Sequence, residues 1–586
     1  MAYQLSPGVN VSEIDLSTII PAVGSTQAGF VGIFNWGPAD VIMNISDENM
    51  LVDTFGKPDA NTYESFFTAA NFLAYGNSLR LVRSIGTGSN NAVSNTGYIA
   101  NNVFSVGTPT LIKNRDIYEA SYPTIGVNTT ANTTSPIFAA KYPGALGNSL
   151  KVAMCPSNTA TSSATWNSNT WSYATQFNSA PNTSTYAASV GSSYDELHLL
   201  VIDEVGLFTG TSGTILEKFS YLSKASDAKN ADGSSNYYVN VLSDQSKYVY
   251  ALNHVSNTWG QIASGINFSA NSSLTNATYS LSFSGGTEVV TTGVSAGDLI
   301  TSYDSFKNSD SVDISLVLTG GHSNVVSKYV VDNIAETRKD CVVFISPIKT
   351  DVINQSGSEV TKITATRNSF NASSYAFMDN NWKYQFDKYN NVYRWVPLNG
   401  DIAGLCVRTD FERDPWFSPA GYNRGQIKNV TKLAWNPTKS NRDDLYKIGV
   451  NSVVSFQGDG TILYGDKTML TKPSAFGRIN VRRLFIVLEK AIARAAKYSL
   501  FEFNDEFTRA QFVSLVQPYL RDVQGRRGIF EFRVVCDTSN NTPEVIDRNE
   551  FVGDIYIKPA RSINFIQLNF VAVRTGVNFE TIVGRF

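Results

Sequence analysis

Chemistry at a site needs a base, a nucleophile or a ligand set held against partners, and this sequence offers few starting points. Its three histidines, His198, His254 and His322, stand far apart in no catalytic or metal-ligand spacing. The densest carboxylate cluster is RTDFERDPWF, with Asp410, Glu412 and Asp414 beside Arg408 and Arg413. Paired carboxylates can act as acid and base or hold a cation. Here each has an arginine nearby, which predicts a salt-bridged structural segment. The turn TGGHSN at 319–324 lacks both the lysine of a phosphate loop and dinucleotide spacing, and reads as a glycine turn. No residue stands out as catalytic, and nothing calls for a cofactor or a metal.

The more informative charges lie in NVRRLFIVLEKAIARAAKYS, which begins at Asn480. At about 100° per residue, Arg483, Lys490, Arg494 and Lys497 fall on one narrow stripe, while Val481, Leu484, Leu488, Ile492 and Ala495 form an apolar side. The pattern predicts a helix with a core face and a basic face. Such a face is either ordinarily solvated or suited to an acidic partner.

The elements around these residues must come from a large chain. At 586 residues it should divide into several domains. With 42% hydrophobic, 12% aromatic and 17% charged residues, it suits a mixed or β-rich globular protein and not a disordered one. A net charge of -3 gives no general reason to expect nucleic acid or an anionic membrane as partner. The start MAYQLSPGVNVSE lacks the pattern of a signal peptide, and no apolar run reaches spanning length, so a protein made and kept in a cytoplasm is expected. The four cysteines, Cys155, Cys341, Cys406 and Cys536, are scattered and predict buried free thiols.

Along the chain, AGFVGIFNWGPADVIMNISD reads as strand, turn and strand, TYESFFTAANFLAYG as a helix with Phe66, Ala69, Ala70 and Leu73 on one side, and SLRLVRSIG as a third strand. Residues 152–194 carry no charge up to Tyr194 but hold Trp166, Trp171, Tyr173 and Phe177, which predicts a small β-rich insert. Beyond it, TILEKFSYLSKAS reads as a helix and NYYVNVLS as a strand. SVDISLVLTGG, KYVVDNIAETRKD and CVVFISPI follow in the order of a parallel crossover. QGDG at 457–460 marks a hairpin. Two helices come next, the second capped by Asn504 and kinked at Pro518, before the strands GIFEFRVV, DIYIKP and INFIQLNFVAV. In GIFEFRVV, Phe530, Phe532 and Val534 alternate with Glu531 and Arg533.

The fold class expected is therefore a multidomain mixture of α/β and α+β. Expected segments are a middle α/β domain over 21–90 and 190–350, an inserted peripheral β-rich domain over 91–189, and an α+β domain over 351–574. Both ends, 1–20 and 575–586, read as extended arms: SPGVNVSEIDLST and VNFETIVGRF are strand-like with no adjoining core.

The combination NDEFTR, CDTSNNTPEVID and IYIKPA in the C-terminal region closely resembles the contractile tail sheath proteins of myophages of the T-even type. YQLSPGVNVSEID, GFVGIFNWGP, FGKP, KYPGALGNSL and DEVG carry the resemblance through the start and middle. It implies a structural, non-enzymatic subunit that stacks as hexameric rings around an inner tail tube and contracts to drive that tube through a bacterial envelope. The implied partners are further copies of the chain, the tube protein, and baseplate and tail terminator proteins, without direct nucleic acid contact or membrane insertion. The implied location is the virion, after assembly in the host cytoplasm. In that family terminal arms add strands to neighbouring subunits, which assigns this role to Val9, Val11 and Ile14 at one end and Phe579, Ile582 and Phe586 at the other. The terminal domain faces the tube, so Arg483, Lys490, Arg494 and Lys497 are the expected tube-facing residues. A bacteriocin or secretion-type sheath and a baseplate component with a sheath-like domain are related readings. A wall-degrading enzyme is a reading of another class, disfavoured by the missing catalytic constellation.

Overall fold

The computed structural model describes residues 24–94, 99–100, 103–104, 108–123, 126–127, 136–157, 166, 168, 171–256, 258–269, 278–288, 293–564 and 566–567. Both expected arms, with Val9, Val11, Ile14, Phe579, Ile582 and Phe586, lie outside the described residues, as do parts of the uncharged stretch. The chain forms two compact units, one from Ala22–Pro415 with Pro419–Lys490, the other holding Trp416–Ser418 and the residues from Ala491 onward.

The larger unit is organised by an eight-stranded sheet in the order Ile42–Ile45, Leu79–Arg83, Ala28–Gly32, Leu316–Leu318, Val342–Ile345, Ala376–Asp379, Val450–Phe456 and Gly460–Tyr464. Its central pairs are parallel, and only the two edge pairs are antiparallel. Central strands such as AGFVG and VVFI are buried along their whole length, as a sheet covered on both faces requires. The strand, helix and strand expected between 311 and 348 are present, the connecting helix passing through a π-helical turn at Val330–Ala335. QGDG does make a hairpin, joining Val450–Phe456 to Gly460–Tyr464. This sheet takes strands on both sides of residue 351, where the sequence reading placed a boundary.

One close helix contact fixes the cover of this sheet. Gly400 and Gly404, on the helix Asn399–Glu412, lie one turn apart and face the helix Tyr63–Leu73. A Cβ on Gly400 would stand 2.4 Å from the Thr68 carbonyl oxygen, and one on Gly404 2.4 Å from the Tyr75 ring. Only bare backbone allows that approach.

A second, seven-stranded antiparallel sheet runs Thr214–Ser223, Glu196–Asp203, Leu150–Pro156, Tyr279–Ser284, Val93–Ser94, Phe138–Ala140 and Val249–Ala251. It draws strands from both sides of residue 190, where 91–189 and 190–350 were divided. Two local expectations are corrected here. TILEKFSYLSKAS is a strand, Thr214–Ser223, because Phe219 and Leu222 meet Leu199 and Leu197 on a neighbour buried almost throughout. NYYVNVLS is a helix, Tyr238–Gln245, burying Tyr238, Val239, Val241 and Leu242. Short apolar runs fit either period, and the neighbouring surface decides.

At the carboxyl ends of the parallel strands sits a buried polar network. Asp379 accepts from Ser346 Oγ at 2.6 Å and from the Asn381 amide at 2.9 Å. Burial outweighs these donors and pushes its carboxyl up to about 7, with the nearby Asp401 charge adding to the rise. Its unfolded value is about 3.9, so the stabilisation tied to its protonated form is complete below about pH 4 and is lost as pH rises through about 7. Asp379→Asn is accordingly expected to raise the melting temperature near pH 8 and to leave it unchanged near pH 4, with Asp401 and Lys383 left as the charged groups of this network. Thermal melts of both proteins across that range check this, and a difference independent of pH would contradict it.

The smaller unit is built on the helix Glu506–Gly525, which buries Phe512, Val516, Leu520 and Val523 and runs through Pro518. Its cap is Asp505, accepting from the Thr508 amide at 2.8 Å, and not Asn504. Asn504 instead donates to the Glu550 carbonyl at 2.8 Å. The strands Ile529–Val535 and Asp554–Pro559 pair antiparallel as a two-stranded ribbon. The CDTSNNTPEVID segment between them is pinned by Asn541, whose amide donates to the Val552 carbonyl at 2.8 Å while its oxygen accepts from the Val552 amide at 2.9 Å.

Candidate functional site

The basic helix is real, at Ile479–Ala496, and its apolar side is buried as the spacing predicts, through Val481, Leu484, Leu488, Ile492 and Ala495. The basic stripe, however, divides. Arg483 is buried and donates to Asp410 Oδ2 at 2.5 Å, with both side chains at most 5% exposed. Burial pushes the Asp410 carboxyl up while the Arg483 charge opposes the rise. Ser25 Oγ donates to the same oxygen at 2.7 Å. Lys490 spends its three ammonium protons on Asp313 Oδ1 at 2.8 Å, the Ile314 carbonyl at 2.7 Å and Ser315 Oγ at 3.0 Å. These two residues do not stand on a free basic face, contrary to the sequence expectation. The helix is covered on that side as well, and the covering acids come from positions 73 and 177 residues earlier in the chain. Arg494 and Lys497 are exposed.

Arg482, between the two faces in sequence, is also internal. Its guanidinium lies 3.9 Å from the Phe476 ring centre and 4.2 Å from that of Tyr375, and it donates to Ser374 Oγ at 2.9 Å. That stacked geometry suits arginine and not lysine.

Immediately after this helix the chain exposes a run of large apolar side chains that the charge pattern did not single out. Tyr498 is 80% exposed, Leu500 62%, Phe503 84% and Phe507 75%, and Phe501 is fully open to solvent at a backbone φ of 69°. Left-handed backbone at an aromatic residue is uncommon and costs strain. Clustered apolar exposure of this kind marks an interaction surface. The signal was present in YSLFEFNDEF, where Leu500, Phe501 and Phe503 fall between the helical turn Lys497–Ser499 and the helix Glu506–Gly525. The ribbon adds Phe530 and Tyr556, at 66% and 60% exposed.

The remaining chemistry-bearing residues have structural partners. In the carboxylate cluster, Arg408 lies 3.6 Å from Glu412 one turn away on the helix Asn399–Glu412, while Asp410 pairs with Arg483 and not with a sequence neighbour. His198 stacks on Phe177 at 4.1 Å, accepts from the Tyr221 amide at Nδ1 and donates from Nε2 to the Ser179 carbonyl. His322 donates from Nε2 to the Val31 carbonyl at 2.8 Å in the TGGHSN turn. All four cysteines are free and buried, and burial pushes the thiols of Cys155, Cys341 and Cys406 up to about 12. Among the described residues no His, Cys, Asp or Glu group is arranged to hold a metal ion, and no helix is long and apolar enough to cross a membrane.

Comparison with known proteins agrees with this geometry. Residues 471–572 match the phage tail sheath C-terminal domain, 292–469 the phage tail sheath protein central domain, and 26–83 the tail sheath protein Gp18 domain III N-terminal region. The chain is 35% identical to the tail sheath protein of Vibrio phage KVP40, covering 99% of this chain and all of that one. It is 34% identical to the tail sheath protein of Enterobacteria phage T4, covering 99% of each. A sheath tail protein from Listeria innocua, at 11% identity and a TM-score of 0.50, shares the fold over 92% of this chain and 96% of its own. Similarity that spans the whole chain, together with a C-terminal unit that among the described residues exposes large apolar side chains and an unpaired ribbon edge, leads to one conclusion: the chain belongs to the contractile phage tail sheath proteins and is a structural subunit of such a sheath.

Proposed function

We propose that this subunit stacks as hexameric rings around an inner tail tube, and that the arms 1–20 and 575–586 link each copy to its neighbours by adding strands to their C-terminal ribbons. The observation that carries this reading is the ribbon of Ile529–Val535 and Asp554–Pro559, to which no third strand pairs among the described residues. A two-stranded ribbon is marginal by itself, and its open edges offer rows of backbone donors and acceptors to another chain. Several such links per subunit hold neighbours together while subunits rotate. Contraction then needs no nucleotide. An extended, kinetically trapped sheath gains contacts as it shortens once the baseplate releases it, with a terminator protein closing the other end. Assembly takes place in the host cytoplasm.

The tube-facing surface is proposed at Arg494 and Lys497 together with the exposed loop that follows them. Exposed charge pairs at roughly 0–1 kcal/mol each are weak enough to break as the sheath moves outward.

The test is truncation. Deleting residues 1–18, or ending the chain before Val577, is expected to leave circular dichroism and thermal melting unchanged while abolishing tubes seen by negative-stain microscopy and leaving a slowly sedimenting monomer. Normal tubes from either truncated protein rule out the linkage.

A further inference from the structure

The larger unit contains a cleft lined by polar and aromatic side chains. It lies between the helices Arg115–Ser121 and Tyr238–Gln245, encloses about 630 Å³, and has His254 and Gly260 in its lining. That size falls within the range of small-molecule sites.

Its polar groups converge in a defined way. His254 is held between two tyrosines, with Nδ1 2.7 Å from Tyr238 Oη and Nε2 3.2 Å from Tyr237 Oη. Burial keeps the imidazole neutral, with its pKa lowered to about 4, so it carries one proton. Tyr238 is fully buried, and among the described residues this histidine is the hydrogen-bond partner of its hydroxyl, so Tyr238 donates to Nδ1. The imidazole proton then sits on Nε2 and is donated to Tyr237 Oη. Tyr237 accepts that bond and keeps its own hydroxyl proton, which has no acceptor among the described residues and is available to the cleft that Tyr237 lines. Gly260 leaves room for this arrangement, since a Cβ there would stand 2.2 Å from His254 Nε2.

The walls complete the chemistry. Arg115 bridges the cleft, donating to Glu119 Oε1 and to Asp244 Oδ1, each at 2.6 Å. One cation against two carboxylates repels anions. Asn240 donates to Ser235 Oγ at 3.1 Å, leaving its amide oxygen as an acceptor. Tyr122, half-buried, also lines the cleft with its ring 5.8 Å from that of Tyr118, which is itself stacked on Tyr250 at 4.0 Å, and the Tyr122 ring is the one placed to receive C–H groups. A fixed hydroxyl donor, amide and carboxylate acceptors and an aromatic ring, with two carboxylates against the one guanidinium, match a neutral polyhydroxylated ring.

We propose that this cleft binds a short neutral saccharide. The same chemistry is offered by a free sugar and by the end of a bacterial surface glycan. Saturation-transfer NMR and calorimetry on the full chain would use glucose, galactose, N-acetylglucosamine and a lipopolysaccharide core oligosaccharide, with glucose 6-phosphate as the charged comparison. At least one neutral sugar is expected to bind, with glucose 6-phosphate weaker than glucose. Tyr237→Phe and Asn240→Ala are each expected to weaken binding roughly tenfold, about one lost hydrogen bond. Asn240 is exposed, so its variant reports on binding even if Tyr237→Phe lowers stability. Tighter binding of the oligosaccharide than of any monosaccharide identifies a surface glycan, and equal binding identifies a free sugar. No binding of any neutral sugar at millimolar concentration, stronger binding of the phosphate, or full affinity in Asn240→Ala overturns the proposal.

Discussion

Lys383→Met is expected to lower the unfolding free energy by roughly 3–5 kcal/mol, because it strands a carboxylate in the core. Lys383 Nζ lies 2.9 Å from Asp401, with side-chain exposures of 0% and 1%. The ammonium also donates to the Lys428 carbonyl at 3.1 Å, and Tyr75 Oη donates to Asp401 Oδ1 at 3.3 Å. Burial draws both partners toward their neutral forms, lowering the lysine and raising the aspartate, while each charge opposes the shift of the other. The pair is therefore weak as a source of stability but costly to break on one side. Asp401 lies beside Gly400, which lets its helix approach Tyr63–Leu73 closely, so the damage reaches the cover of the main sheet. Replacing both partners, Lys383→Met with Asp401→Leu, should recover most of the loss, since two apolar groups of similar size need no pairing. Denaturant unfolding of the two variants distinguishes these outcomes. A single variant as stable as the original protein, or a double variant no better than the single, contradicts the account.

Arg483→Glu and the pair Arg494→Glu with Lys497→Glu are expected to fail in opposite ways, although all three residues lie on one stripe of the helical wheel. Arg483→Glu sets a second carboxylate against Asp410 where neither is more than 5% exposed in the present pair. Removing one partner of a buried pair costs roughly 3–5 kcal/mol, and a like charge adds to it, so this variant should be largely insoluble or unfolded. Arg494 and Lys497 are exposed, and their reversal should change stability by only about 0.5 kcal/mol. Its effect should appear in growth of sheath on isolated tail tubes, which slows and becomes more sensitive to salt, since exposed charges are screened over about 8–10 Å at ordinary ionic strength. Assembly without tubes should survive. Wild-type melting of Arg483→Glu refutes the buried pair. Loss of tube-free polymerisation in the double variant moves Arg494 and Lys497 to an interface between subunits.

The sequence by itself determined a good deal. Alternation from Glu531 to Val534, the crossover order from 311 to 348, the QGDG hairpin and the apolar side of the Ile479–Ala496 helix are local periodic signals, and local periodicity follows from backbone geometry alone, whereas a bulge between Ile529 and Glu531 takes Phe530 out of the expected alternation and leaves it 66% exposed. The motifs NDEFTR, CDTSNNTPEVID and IYIKPA carried the family. Tertiary structure decided whatever depended on a distant partner. TILEKFSYLSKAS became a strand because Glu196–Asp203 lay beside it, and NYYVNVLS became a helix because its four apolar residues had a buried surface to face. Arg483 and Lys490 left the basic face because Asp410 and Asp313 reach them from far along the chain. A helical wheel places a residue by angle, and angle does not tell whether protein or water lies opposite. The proton on Tyr237 has the same origin, since it is assigned by His254 and Tyr238, which only the folded chain brings together.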